Sequence, residues 1–372
     1  MLKLKYGVLP VVTAALMVKY GQSDPAKVKE AEKIMDLNTI WFILVTFLFI
    51  GFFFLEGFDY GVGILMPFLG KNDKERRVII NAIGPFWDGN EVWMLTAGGA
   101  LFASFPYVYA TLFSGFYLAL VLMLVALILR GVAFEYRAKR EGKVWRKFWD
   151  WSIFIGSLLP ALLWGVTVGN LMRGVAIDGD MNYWGGLLPL LNPFSILGGL
   201  VFVSLFTTHG ANFLSLKTDG EIAARARGIA FTSWIVTTIL TVAFVVWTFF
   251  ATDILTKPVI NGLIPAVLAA VLLLVGGYFI KVKKNGWAFV MVALTVVFAT
   301  VMVFAGLFPR ILISTLKPEW SLTIYNASST PYTLKIMTIV AAIFIPIVLA
   351  YQIWTYWIFR KRVSTDPKTL VY

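Results

Sequence analysis

The stretch Leu55–Trp93, LEGFDYGVGILMPFLGKNDKERRVIINAIGPFWDGNEVW, decides the fold. Two apolar segments are joined by a short charged loop, Lys71–Arg77, and four acids lie inside the apolar segments: Glu56, Asp59, Asp88 and Glu91. Segments of this kind read as membrane helices. An ionised carboxylate within one costs about 2.5 kcal/mol or more, so acids kept there either carry function or are held by basic side chains. The rest of the chain agrees with a membrane protein. Its 372 residues are 59% hydrophobic and 14% charged, with mean hydropathy +0.81, against about 25% charged in a soluble domain. The 14 Trp and 31 Phe suit lipid-facing and interfacial positions. The net charge of +12 comes from basic residues spread over short loops with no single basic face, which excludes nucleic acid as a partner. With no Cys there is no disulfide or thiolate site, and a single histidine, His209, excludes a bis-histidine haem built from this chain alone.

Nine segments are long enough to cross a bilayer, at roughly 40–69, 78–104, 106–130, 148–171, 192–216, 229–252, 259–281, 286–309 and 333–359. They must cross as helices, because apolar strands in isolation leave backbone groups unsatisfied in lipid. Spans 2 and 3 meet at Phe105-Pro106, which predicts a tight antiparallel hairpin. The loops on one side, together with the C-terminal tail, hold 20 Lys and Arg, and those on the other side hold 4. This asymmetry places the C-terminus in the cytoplasm and the Met35 end outside. Residues 1–34 differ from the rest. Their apolar run is too short to span, and their six Lys would lie on the wrong side, so the segment reads as an N-terminal extension, with Met35 as the working start of the 35–372 domain.

Glu56 and Asp59 are three residues apart, as are Asp88 and Glu91, so each helix directs a pair of acids one way. Both pairs are expected to face protein or a wet cavity. Counting from Val78, Asp88 lies about 15 Å from the cytoplasmic edge. Acids staggered in depth, with Asn81 and Asn90 close in sequence, suit a proton relay. Pro85 is expected to bend span 2 just before Asp88, and the many glycines to allow close helix packing. Arg130, at the end of span 3, either snorkels to the interface or pairs with an acid; snorkelling is the usual fate of an Arg near a helix end. Asp150 reads as an N-terminal helix charge between Trp149 and Trp151. His209 reads as a hydrogen-bonded side chain near the cytoplasmic interface, with haem or metal ligation as the minority alternative.

The motifs GFDYGVG at Gly57–Gly63, GKNDKERR at Gly70–Arg77 and WDGNEVWMLTAGGALFASFP at Trp87–Pro106, followed by FWDWSIFIGSLLP at Phe148–Pro160, NPF at Asn192–Phe194 and KNGWAFV at Lys284–Val290, resemble subunit II of cytochrome bd-type quinol oxidases. The resemblance implies an all-α integral membrane fold of nine transmembrane helices, arranged as two four-helix bundles plus a peripheral helix, in a bacterial or archaeal cell membrane. It implies a heterodimer with subunit I, which carries two haem b, one haem d and the quinol-oxidising loop, and a small single-helix subunit as a further partner. This chain then binds no cofactor or metal of its own. It further implies that Asp88 belongs to a proton path from the cytoplasm to the oxygen-reducing haem, with Glu91, Asp59 and Glu56 as companions; Glu56 stands where some members carry Asp. Trp93 lies where oxygen enters from lipid, and Trp87 joins it in an oxygen-entry or structural role. The rival reading, a secondary transporter, lacks support, because the acids of spans 1 and 2 have no counterpart in a second half.

Overall fold

A computed structural model describes residues 25–258, 260–364 and 370, with the side chains of the first helix from Leu37 onward. Most of the expected extension, residues 1–24, lies outside the described residues; the backbone of 25–34 is helical and runs on into the first span. The helices are α1 (Pro25–Leu69), α2 (Asp73–Ile83), α3 (Trp87–Ser104), α4 (Pro106–Gly115), α5 (Tyr117–Tyr136), α6 (Lys143–Arg173), α7 (Pro193–Lys217), α8 (Gly220–Ala251), α9 (Leu263–Lys281), α10 (Asn285–Leu307) and α11 (Pro331–Ile358). A short antiparallel pair, β1 (Arg310–Leu312) and β2 (Leu322–Thr323), lies in the loop before α11. Among the described residues, eight helices are long and apolar enough to cross a membrane: α1, α5 to α10, and α11.

The second expected span is divided into α2 and α3. Pro85 has no N–H, and its ring would meet the carbonyl of Asn81, so an unbroken helix cannot pass through it. The chain tightens instead: the Gly84 N–H donates to Ile80 O (2.9 Å) and the Phe86 N–H to Ile83 O (2.8 Å), before Asn90 N–H restarts the ladder on Phe86 O (2.9 Å). At the other end of this segment the loop is held by a cap. Asn72 Oδ1 accepts from Glu75 N–H (3.0 Å), and Glu75 Oε2 accepts from Lys71 N–H (2.8 Å).

The chain turns at Phe105-Pro106, and α3 packs on α4 beside the turn, with Phe102 against Tyr109 (5.0 Å). Phe116 separates α4 from α5, and α3 and α5 splay around an apolar cavity of about 560 Å³ whose walls include Gly98, Gly99, Phe102, Tyr109, Phe116 and Trp164. The sequence places the turn correctly, but the bulky aromatics after it keep the arms apart.

α1 is the hub. It packs against α3, α6, α7 and α10, while α5 to α8 follow one another as sequential neighbours and α9 pairs with α10. The α1–α7 contact is set by two glycines: an added Cβ on Gly61 would collide with the Phe206 carbonyl, and one on Gly210 would meet the backbone of Gly61 and Val62 at 2.5 Å. Gly210→Ala is therefore expected to cost about 1–3 kcal/mol through overpacking, read as an earlier thermal transition of the purified protein. Gly98→Ala, where an added Cβ meets nothing within 4 Å, is the control expected to change nothing.

α11 is peripheral, with Leu334 as its one fully buried residue. It is pinned at one end by the Trp41 indole N–H, which donates to Leu334 O (3.1 Å) and Thr338 Oγ1 (3.0 Å). Between its pins it stands away from α1 and α3, leaving a second apolar cavity of about 720 Å³. The Lys- and Arg-rich loops gather at one end of the bundle. There Asp150, buried and in the third turn of α6, receives Arg76 (2.6 Å) and Arg137 (2.6 Å), while Asp73 receives Arg137 and Arg146 (2.9 Å each). The reading of Asp150 as a helix N-terminal charge is thus corrected. α6 begins at Lys143, one and a half turns before the apolar run suggests, so Asp150 faces inward and ties three loops together.

Candidate functional site

The break at Pro85 matters because of what it presents. α3 restarts with WDGNE, and its first turn lies against the middle of α1, where the chain has buried Glu56 and Asp59 completely. Asn90, fully buried, donates from Nδ2 to Asp59 Oδ2 at 2.6 Å. Glu56 Oε1 receives Arg130 Nη1 at 2.5 Å, and both side chains are wholly enclosed. Glu91 approaches the same guanidinium from α3, with Oε2 3.9 Å from Arg130 Nη1 and the side chain 18% exposed. The guanidinium also lies over the Tyr60 ring at 4.9 Å and the Phe134 ring at 5.4 Å.

Two of the four acids, Glu56 and Glu91, therefore meet at one base, and Asp59, one turn along α1 from Glu56 and bonded to Asn90, completes the cluster. Arg130 does not snorkel, which overturns the sequence expectation. α5 continues two turns past the expected end of span 3, through GVAFEY to Tyr136, so Arg130 sits inside the bundle rather than at its rim. Holding a guanidinium there requires partners, and Glu56, Glu91 and two aromatic faces supply them. Several polar atoms of the cluster still have no hydrogen-bond partner within the protein: Glu56 Oε2, Asp59 Oδ1, the Tyr60 hydroxyl, and Arg130 Nε and Nη2.

Asp88 is the exception. It shares a face with Glu91, as its spacing requires, but that face turns toward the outside of the chain, and Asp88 is exposed. Glu56 and Asp59 thus face into this chain, Glu91 does so in part, and Asp88 lies on the surface of α3. One helical face cannot point both at Arg130 and deeper into the core, so Glu91 meets the cluster from its edge.

The tryptophans of the same motif do different work. Trp93 is buried flat against Gly51, edge-on to Phe47 (ring centroids 5.8 Å), and it lines the cavity beneath α11. Trp87 is half-buried and packs on Phe134 (5.0 Å), the ring that faces Arg130.

His209 lies deeper than expected. It is fully buried, and its Nε2–H donates to Phe54 O at 3.1 Å, two residues before Glu56. That bond leaves Nδ1 as the unprotonated nitrogen, and Nδ1 has no partner in the protein. The ring stacks on Phe289 (4.8 Å, 14°) and meets Phe58 edge-on (5.7 Å). Among the described residues, no group of three or more His, Cys, Asp or Glu is placed to hold a metal ion.

Two further residues belong to the cluster and were not singled out by the sequence. Asn90 Oδ1 accepts from Gln352 Nε2 (3.0 Å) and from the Tyr356 hydroxyl (2.9 Å), both on α11. Tyr356 is held in turn by stacking on Phe86 (4.4 Å, 4°), the residue that closes the Pro85 turn. No local motif marks Gln352 or Tyr356, because their role depends on a contact across more than 260 residues.

Comparison with known proteins places this arrangement. The family profile for cytochrome bd terminal oxidase subunit II matches residues 37–359. The chain is 46% identical to the cytochrome bd ubiquinol oxidase subunit 2 of Bacillus subtilis, over 90% of this chain and 99% of that one. It is 41% identical to the cytochrome bd-I ubiquinol oxidase subunit 2 of Escherichia coli K12, over 89% of this chain and 96% of that one. The fold is similar to a chain in the structure of bd oxidase from Geobacillus thermodenitrificans, with TM-score 0.69 and 16% identity over 87% of this chain and 97% of that one. A full-length sequence match, with the buried acids and the WDGN turn inside it, makes this chain a multi-pass membrane protein of the cytochrome bd oxidase subunit II family, and so a subunit of a quinol oxidase.

Proposed function

We propose that this subunit docks on the haem-bearing subunit I and supplies it with cytoplasmic protons through Glu56, Asp59, Glu91 and Asp88. In this reading the Lys- and Arg-rich end and the C-terminus are cytoplasmic, and the Met35 end is outside. The haems, two of b type and one of d type, reside in the partner, where they supply the electron transfer and oxygen reduction. Quinol is oxidised on the outer side, and a small single-helix subunit is a further partner. The kinked α2–α3 segment serves as a ninth crossing, completing two four-helix bundles with α11 outside them. Trp93, bordering the cavity under α11, marks a route for oxygen from lipid.

One observation carries the proton reading. Glu56 and Glu91 share a single guanidinium in an apolar interior, and Asp59, wholly buried one turn along α1, is held only by the Asn90 amide. One base balances one acid, so an ion pair built only for structure would leave Asp59 and Glu91 without purpose at substantial cost. Acids in excess of bases, with unpartnered oxygens between them, suit groups that take up and release protons. Asp88, exposed at the edge, then stands where a proton passes between this chain and a partner packed on α3.

Asp88→Asn tests this. The complex is expected to assemble with an unchanged haem spectrum and to lose quinol-driven oxygen uptake about tenfold. That effect lies below the usual range for a positioned proton carrier, because water beside an exposed group can replace it in part. Unchanged turnover would leave Asp88 a structural role only.

A further inference from the structure

We propose that Gln352 and Tyr356, from the peripheral helix α11, act as positioning residues that set which oxygen of Asp59 carries a proton. The inference rests on the proton-delivery reading above and goes beyond it, since no acid of α1 or α3 makes these contacts.

The geometry is a short chain of hydrogen bonds with one polarity. The Tyr356 hydroxyl and the Gln352 amide both donate to Asn90 Oδ1, at 2.9 and 3.0 Å. With two donors on its Oδ1, the Asn90 amide keeps Nδ2 toward Asp59; turning it over would require the Gln352 amide and the Tyr356 hydroxyl to reverse with it. The Asn90 Nδ2–H group must then point at Asp59 Oδ2, where it lies at 2.6 Å. Oδ2 is thereby committed as an acceptor. Oδ1, buried and without a partner in the protein, is left as the atom on which a proton is loaded and from which it departs. Loading forms the Oδ1–H bond as the O–H bond of the donor, a water or a neighbouring carboxyl, breaks; release breaks the Oδ1–H bond as an O–H bond forms on the next acceptor.

Oδ1 belongs to the same cluster as the unpartnered Glu56 Oε2, Tyr60 hydroxyl and Arg130 Nε and Nη2. The charged groups around it are Glu56 on its own helix, Arg130 on α5 and Glu91 on α3. The helix that imposes the orientation is the most weakly held of the crossing helices, touching the bundle chiefly at α1 and α3. The polarity of the buried site therefore depends on α11 being docked.

Each donor alone holds the Asn90 amide in large part, so the effects are expected to be non-additive. In the whole complex, Gln352→Met and Tyr356→Phe should each change oxygen uptake by less than about threefold, and Tyr356→Phe keeps the ring on Phe86. The double variant should lose about tenfold or more, as misplacement of a reacting group does, with the quinol KM and the haem spectrum unchanged. Restoring either residue should restore turnover. The structural readout is the infrared C=O band of the protonated Asp59 carboxyl, assigned by its loss in Asp59→Asn. It should move in the double variant, because Oδ2 loses its fixed donor, and move less in the same direction in each single variant. The single variants decide the matter if the double variant fails to assemble. A wild-type band in all these variants, or no Asp59 carboxyl band at any accessible pH, overturns the proposal. If Asp59→Asn itself keeps full turnover, the proton-delivery reading fails, and the band shift alone then decides whether α11 orients Asp59.

Discussion

Arg130→Met is expected to destabilise the folded subunit by about 3–5 kcal/mol, the cost of leaving a buried carboxylate without its base. Glu56 and Arg130 are both wholly enclosed, and their contact is 2.5 Å, so neither water nor a neighbouring loop can take over. Glu91, 3.9 Å from the guanidinium, loses its base as well. The effect should be visible as little or no haem-loaded complex in membranes, and as an early thermal transition in what is purified. Arg130→Met combined with Glu56→Met should recover most of the loss. Replacing both members of a buried pair by apolar groups is often neutral or better, and methionine fills irregular space. The pair of variants separates two contributions. If the double variant is as damaged as the single one, the contacts of Arg130 with Tyr60 and Phe134 carry its role rather than the charge. A single variant as stable as the parent would contradict the reading of this pair as the anchor of the cluster.

The fold was legible in the sequence wherever a single helix decides it. Span positions follow from apolar length, and the bend at Pro85 from its missing N–H. What the sequence misjudged depends on helix ends and on distant partners. Arg130 looked like a rim residue because its span was ended at the charge itself, whereas GVAFEY contains no breaker and carries the helix two turns further. The same error, in the opposite sense, made Asp150 a helix start. The three-residue spacing of Asp88 from Glu91 is compatible with a face turned inward or outward, and only packing chooses between them. Gln352 and Tyr356 lie in a peripheral helix most of whose residues near them face outward, so nothing in their neighbourhood distinguishes them from any other polar residue in a membrane helix.

Asp59→Asn is the second large effect. Asparagine preserves the shape of the side chain and can still accept the Asn90 N–H bond through its carbonyl oxygen, but it cannot take up or release a proton. A purely structural Asp59 would tolerate this change well, since removing a buried negative charge that has no base of its own relieves a cost. A proton-carrying Asp59 would not. Loss of oxygen uptake by about 10²–10⁴-fold is expected, the range for removal of a positioned proton donor or acceptor. That is larger than at Asp88, because Asp59 is fully buried and has no bulk water beside it. The most direct measurement is therefore quinol-driven oxygen uptake by the Asp59→Asn complex, normalised to its haem content. Severe loss with the haem retained is the expected result; wild-type turnover at full haem content would contradict proton delivery through this chain.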